Sequence, residues 1–283
     1  MEGKLILRGV LAGAFSGLLA FVFARIFAEP QIQKAMNYES ARDAAQDALD
    51  KASGIAVPPE GPDIFSRTIQ ANVGIGVGMV AFGAAMGALF AIAYTVCLGR
   101  VGRLQPKPLA LLVALFGLLA MYLVPFVKYP ANPPAIGHED TIRQRGAYYL
   151  IMVFCSVVCI VAAVWLGKRL AARFGNWLGA VLAGIAFLVV IGVIMALLPD
   201  FGHLGNNVAD YGNHTTETPQ PLRDKAGTLV FPGFPADTLW NFRFYSVGAQ
   251  LILWGVLGLV FAPLAERVLR PAMQPVEDEP AFA

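Results

Sequence analysis

The chain has 283 residues, 57% of them hydrophobic and 14% charged, with a net charge of +2. Soluble domains carry about 25% charged residues, so this composition excludes an ordinary soluble globule and points to a protein embedded in lipid. The near-balanced charge, with no dense basic cluster, gives no sign of a nucleic-acid partner.

Six apolar stretches reach the roughly 20 helical residues needed to cross the hydrocarbon core. They fall at about residues 5–27, 70–98, 108–127, 146–167, 177–198 and 244–264. The first has too long an apolar run for a signal core and no small-residue cleavage site after it, so it reads as a retained span. In it Gly9, Gly13 and Gly17 recur every fourth residue on one face, a spacing that lets helix backbones approach. The connection 28–69 begins with Glu29-Pro30, and its alanine- and acid-rich middle favours a short extramembrane helix. Gly54 should end that helix, with a rigid return at Pro58, Pro59, Gly61 and Pro62. The second span carries Gly74, Gly76, Gly78, Gly83 and Gly87. Two readings are open for them: helix packing, or a loosened end at Gly74 to Gly78 that exposes carbonyls to a cavity, as in interrupted transporter helices.

Arg100, Arg103 and Lys107 follow the second span, and Lys168, Arg169 and Arg173 separate the fourth from the fifth, with no acid among either group. Lys4 and Arg8 open the first span, and Arg267 and Arg270 follow the last. Lysine and arginine in short connections mark the cytoplasmic side, and all four places share one side when there are six crossings. The expected fold is an all-α integral membrane protein, a single membrane domain over residues 1–283. It is a bundle of six transmembrane helices with both termini cytoplasmic and long extracytoplasmic loops at 28–69, 128–145 and 199–243. A division into three plus three spans would be inverted in topology, but no residue-level self-similarity marks one.

The span centres hold almost no ionisable groups, which argues against an autonomous ion-coupled pump. No His-Glu-x-x-His or Walker A pattern is present, and no nucleophile–base pair marks an enzyme. Cys97, Cys155 and Cys159 fall in or at the ends of spans, so no disulfide framework is implied. The spacing of Cys155 and Cys159 suits helix packing or two thiolates facing a soft metal.

Polar groups gather instead at the outer ends of spans. Glu29 closes the first, and Gln70 and Asn72 open the second. After the third, Pro130, Pro133 and Pro134 should enforce a stiff, extended segment. Gly137-His138-Glu139-Asp140 then sets one imidazole beside two carboxylates, donors suited to a divalent first-row metal. Asp140 and Thr141 equally suit a helix N-terminus. The last loop repeats these donors in His203, Asp210 and His214, and Asp237 can cap the last span. The pairs Phe231-Pro232 and Phe234-Pro235 would be apolar wedges at the membrane surface, with Trp240 and Tyr245 in the aromatic belt. All three histidines of the chain therefore lie in two outer loops.

The run Tyr-Pro-Ala-Asn-Pro-Pro-Ala from Tyr129 to Ala135, followed by Asp140, Thr141, Ile142 and Arg143, resembles the CbtA family. So do Phe-Pro-Gly-Phe-Pro-Ala-Asp from Phe231 to Asp237, Arg243 with Ser246, Gln250 and Trp254, the opening Arg8-Gly9, and Glu29-Pro30. The resemblance covers essentially the whole chain. It implies the larger integral-membrane subunit of a bacterial cobalt transporter, with cobalt uptake linked to cobalamin synthesis. It also implies a partner, a small single-span subunit (CbtB) with a histidine-containing terminal segment. Residues 28–69, where relatives carry histidines, hold none here.

The expectation is thus a permease component of the bacterial cytoplasmic (inner) membrane for a divalent metal, Co2+ or Ni2+, with no permanently bound cofactor. His138, Glu139, His203, Asp210, His214 and Asp237 would collect and partly dehydrate the ion, and Glu29, Asn72 and Gln250 would line its path between helices. Its partners would be membrane lipid, the CbtB-like subunit and, in a homo-oligomer, further copies of itself. Two readings stand beside this one. One is a non-catalytic structural or interaction protein whose proline-rich caps form a docking surface. The other is a carrier for a small organic solute such as a corrinoid.

Overall fold

The computed structural model describes residues 2–57, 65–102 and 104–273, with the backbone only at 210, 211 and 270–273. The return expected at Pro58, Pro59, Gly61 and Pro62, and the basic Arg103, lie outside the described residues. In chain order the elements are α1 (Glu2–Phe27), α2 (Glu29–Ala52), α3 (Arg67–Cys97), α4 (Pro106–Lys128), α5 (Ile142–Phe174), α6 (Asn176–Leu197), α7 (Gly205–Tyr211), β1 (Leu222–Arg223), β2 (Leu229–Phe231) and α8 (Ala236–Met273). Six of these, α1, α3, α4, α5, α6 and α8, are long and apolar enough to cross a membrane. They are the six spans expected from hydropathy. The last begins about two turns before its apolar run, because Asp237 in its first turn favours the positive end of the helix.

The elements fall into two compact units. The first comprises the described residues of Met1–Val22, Thr68–Gly117 and Ala249–Ala283. Here α1 and α3 pack backbone to backbone. A Cβ at Gly9, Gly13 or Gly17 would run into the carbonyl oxygens of Gly87, Gly83 and Met79, and Cβ atoms at Gly83 and Gly87 would run into those of Gly13 and Gly9. Side chains are absent at this crossing so that two helices can touch. On α8, the Phe261 ring stands edge-on to Phe90 and Tyr94 at 5.0 and 5.1 Å, and Trp254 fills the space over Gly117. Arg8 donates to the Leu264 carbonyl, and Lys107 pairs with Glu266 at 3.0 Å. The start of α1, the start of α4 and the end of α8 thus meet, which brings three of the four basic places together.

The glycines Gly74 and Gly78 meet no other helix. The irregularity in α3 lies at its start, where Gln70–Gly74 form a π turn, and α4 holds a second at Leu119–Leu123. A π turn inserts a residue into the α-helical ladder and is frequent at functional sites.

The second unit comprises the described residues of Phe23–Arg67 and Leu118–Gly248. Helices α5 and α6 form a hairpin turning at Gly175, whose φ of 84° suits glycine. Tyr129 stacks on Phe201 with ring centroids 4.1 Å apart and donates to the Pro199 carbonyl at 2.9 Å. Helix α2 follows α1 after one residue and is longer than expected. Pro30 sits in its first turn, where a missing N–H costs nothing, and Gly54 at φ 77° ends it as predicted. Ala35 and Tyr38 of α2 bury against Ile136 and Phe234, and the Tyr38 hydroxyl donates to the Pro232 carbonyl at 3.0 Å. The Phe-Pro wedges therefore pack on α2, where Tyr38 offers an aromatic face. The strands β1 and β2 form a small antiparallel hairpin that hydropathy did not predict. All three long connections thus converge in one cap within this unit.

Candidate functional site

The cap carries an open pocket of about 400 Å³. Tyr38, Glu39, Arg42 and Asp43 of α2 form one wall, Ala135 and the Gly137-His138-Glu139-Asp140 run form another, and Pro219 closes it. Glu39 and Asp43 are four residues apart, so both face the same way from α2. The opposite wall is shaped by backbone bends. Gly137 has φ 85° and Ala135 φ 72°, and the left-handed conformation at a residue with a Cβ costs roughly 1–2 kcal/mol.

His138 ends that bend and caps the short turn Glu139–Thr141. Its Nδ1 accepts from the Asp140 N–H at 3.1 Å, and the Thr141 hydroxyl donates to its carbonyl at 2.6 Å. The capping role expected of Asp140 thus belongs to His138, because the turn begins one residue earlier than the acid. An Nδ1 that accepts leaves the proton of the neutral ring on Nε2. The Asp140 carboxylate lies 3.7 Å from Nδ1 and also accepts from Asn206 at 3.2 Å. A metal-bound imidazole commonly donates its second N–H to such a carboxylate.

The electrostatics of the pocket favour a cation. Four acidic residues, Glu39, Asp43, Glu139 and Asp140, and one basic residue, Arg42, line the pocket. Burial pushes the Glu39 carboxyl above its ordinary range, and repulsion from Asp43 and then Glu139 pushes it further. Positive charge placed among these groups relieves that repulsion.

Behind the His138 turn lies a buried polar network. Glu217 is 4% exposed. It accepts from Asn132 at 2.7 Å and from Asn207, and its carboxylate faces Arg145 at 3.5 Å. Burial raises its pKa, and Arg145 and the hydrogen bonds oppose that rise. Arg243 of α8 donates to the Asn132 side chain at 2.7 Å and to the Ala131 carbonyl at 3.3 Å.

The residues singled out from sequence are dispersed. His138 and Glu139 line the pocket. His203 is exposed on the short turn Phe201–His203, and His214 is exposed nearby, its carbonyl against Gly202. Asp210 lies on α7 with its side chain outside the described residues, and Asp237 is exposed in the first turn of α8. Glu29 is buried and paired with Arg67. Asn72 is exposed and donates to the Thr68 carbonyl at 2.8 Å, and Gln250 is half-buried on α8. Among the described residues no three His, Cys, Asp or Glu side chains are grouped so as to hold a metal ion. The acids and the imidazole line a cavity wall instead of closing on one point.

Sequence reasoning missed Glu39, Asp43, Arg145, Asn207 and Glu217. The first two carried a signal, acids at helical spacing in a segment already read as a helix. Nothing in the local pattern marked Glu217 as buried.

No curated protein and no solved structure matches the chain. The family model described as "Probable cobalt transporter subunit (CbtA)" matches residues 2–266. The chain therefore belongs to the CbtA family, as its motifs at Tyr129 to Ala135, Phe231 to Asp237 and Arg243 anticipated.

Proposed function

We propose that this subunit admits Co2+ across the bacterial cytoplasmic membrane, and that the pocket between α2 and the His138 turn collects the ion. The observation that carries this reading is the pairing of His138 and Glu139 with Glu39 and Asp43 from a different connection. Carboxylate oxygens draw and partly dehydrate a divalent ion, and imidazole adds the nitrogen that favours a first-row transition metal over Mg2+ or Ca2+. His203, Asp210, His214 and Asp237 serve as weaker approach sites outside the pocket. The π turn at Gln70–Gly74, which contains Asn72, leaves backbone groups out of the regular ladder and offers them to an ion inside the membrane.

The cap faces outward in this reading, and both termini are cytoplasmic. The clustering of the basic start of α1, start of α4 and end of α8 supports that arrangement. The partner is a small single-span, histidine-containing subunit. The family description of the chain as a transporter subunit supports a partner of some kind.

The test is Co2+ binding to the purified protein by calorimetry, together with Co2+ uptake by cells. Glu39→Gln combined with Glu139→Gln, and separately His138→Ala, should each weaken binding by at least about tenfold. The pair His203→Ala and His214→Ala should weaken it less. Unchanged binding and uptake in the pocket variants would overturn the assignment.

A further inference from the structure

We propose that Glu217 is a positioning residue that sets the orientation of the His138 imidazole. The inference rests on the cation-collecting role given to the pocket. Glu217 does not line that pocket. It is nonetheless tied to His138 by two routes that share no atoms.

The first route runs through Arg145. Its guanidinium faces the Glu217 carboxylate and donates to the carbonyls of Ile136 and His138, each at 3.3 Å. The second runs through Asn207, which is 1% exposed. Its amide oxygen accepts the His138 N–H at 3.1 Å and its amide nitrogen donates to the Phe201 carbonyl at 2.8 Å, while the same amide favours the charged Glu217 carboxylate. The N–H and the C=O of His138 are therefore each held by a side chain that also holds Glu217. With its peptide framework fixed by these tethers, His138 holds its Nδ1 where the Asp140 N–H reaches it, so the ring orientation depends on the tethers staying in place.

Gly137 is the hinge of this arrangement. A Cβ there would collide with the Glu217 carboxylate and with the Arg145 guanidinium. The glycine is needed for its φ of 85° and also to let the carboxylate come up against the backbone that precedes His138.

Replacing Glu217 by Gln keeps its volume and its acceptor for Asn132. It removes the charge opposite Arg145, and the new amide turns donors toward a guanidinium or toward the Asn207 amide nitrogen. Arg145 and Asn207 then lose the anchor that holds them, and the His138 turn loosens. A purely electrostatic role predicts something different, since removing one negative charge would weaken cation binding whether or not His138 is present.

The experiment uses full-length protein in detergent with ring-labelled histidines. The chain has three histidines, so the His138 signal is identified by its loss in His138→Ala. In Glu217→Gln the His138 ring nitrogens should shift away from the acceptor state of Nδ1 while His203 and His214 stay in place. Asn207→Ser, which keeps the carboxylate and cuts one tether, should move the same signal, and it serves if Glu217→Gln does not fold. Calorimetry with Co2+ completes a double-variant cycle. Glu217→Gln should lower affinity by about tenfold when His138 is present and by less than about twofold in His138→Ala. An unmoved His138 signal in the folded variants, or an equal loss of affinity in both backgrounds, would overturn the positioning role. If instead His138→Ala leaves Co2+ affinity unchanged, the collecting role of the pocket fails, and the ring signal still decides whether Glu217 orients His138.

Discussion

The two compact units bury their contacts by opposite means. In the first, the crossing of α1 and α3 works because glycines remove the side chains, so that backbone meets backbone at Gly9, Gly13, Gly83 and Gly87. In the second, the cap is held by interacting polar side chains, with Glu217, Asn132, Arg145, Asn207 and Arg243 as the central set. The lesson is that a membrane protein need not spread polarity evenly. Hydrocarbon-facing helices associate by shape, since lipid offers no hydrophobic incentive. The connections, which leave the lipid, can sustain charged networks and hence chemistry.

The comparison breaks most directly at Gly87. Gly87→Val should cost about 3 kcal/mol or more, because its branches would strike a backbone carbonyl that cannot give way; thermal unfolding in detergent measures it, and near-normal stability would refute the shape-only account of the crossing. Arg243→Ala comes next. Loss of its hydrogen bonds to Asn132 and Ala131 leaves half-buried acceptors unsatisfied and should cost about 2 kcal/mol, read by the same melt.

The third test uses pH to separate an unloaded from a loaded cap. Glu39 has a folded-state pKa above its ordinary value, so the folded cap binds that proton more tightly than the unfolded chain does. Without metal, stability should rise as pH falls from neutral through the raised pKa, and be lost again as pH rises through it. Co2+ competes with the proton, so affinity should fall on the same descent, by at most about tenfold per pH unit for one proton. The melting temperature should therefore rise as pH falls without Co2+ and stay nearly flat with saturating Co2+, and Glu39→Gln should remove the difference. Tyr38→Phe is milder. It deletes one hydroxyl that donates to the Pro232 carbonyl and should cost about 1 kcal/mol. Smallest is Gly78→Ala, at a glycine of the same helix as Gly87 that meets no neighbour. Its effect should be at most about 1 kcal/mol and of stabilising sign, which would show that position at the crossing, and not glycine content, makes α3 sensitive.

Much of the fold was legible because its signals are local and periodic. Hydropathy located all six spans, the four-residue glycine spacing in α1 identified its contact face, and Gly54 marked the end of α2. What failed was local geometry set by distant partners. A loosened end at Gly74 to Gly78 was one of two readings of those glycines, and the irregular turn occurs at Gln70–Gly74, since glycine content says where a helix can bend and not where packing makes it do so. The Phe-Pro pairs looked fit for a lipid surface, but Tyr38, nearly two hundred residues away in sequence, provides their partner. At the candidate site, His138 and Glu139 were found by residue type. Their companions on α2 needed the tertiary fold, because no pattern in one connection reveals which helix face another connection will meet.

His138 carries one further consequence. Its ring is the N-terminal cap of the turn that opens α5, a helix of 33 residues. An ion taking Nδ1 would remove the acceptor of the Asp140 N–H, and an ion taking Nε2 would require a proton on Nδ1, which ends the same hydrogen bond. Either way the cap is given up, at about 1 kcal/mol, or about fivefold in affinity. In the proposed reading that cost would act as a threshold. Mg2+ and Ca2+, which prefer oxygen donors, gain too little from an imidazole to cross it and would stay with the carboxylates. A transition metal, which favours nitrogen donors, would gain enough to displace the cap. The opening turn of a helix would then discriminate among divalent ions before any of them reaches the spans.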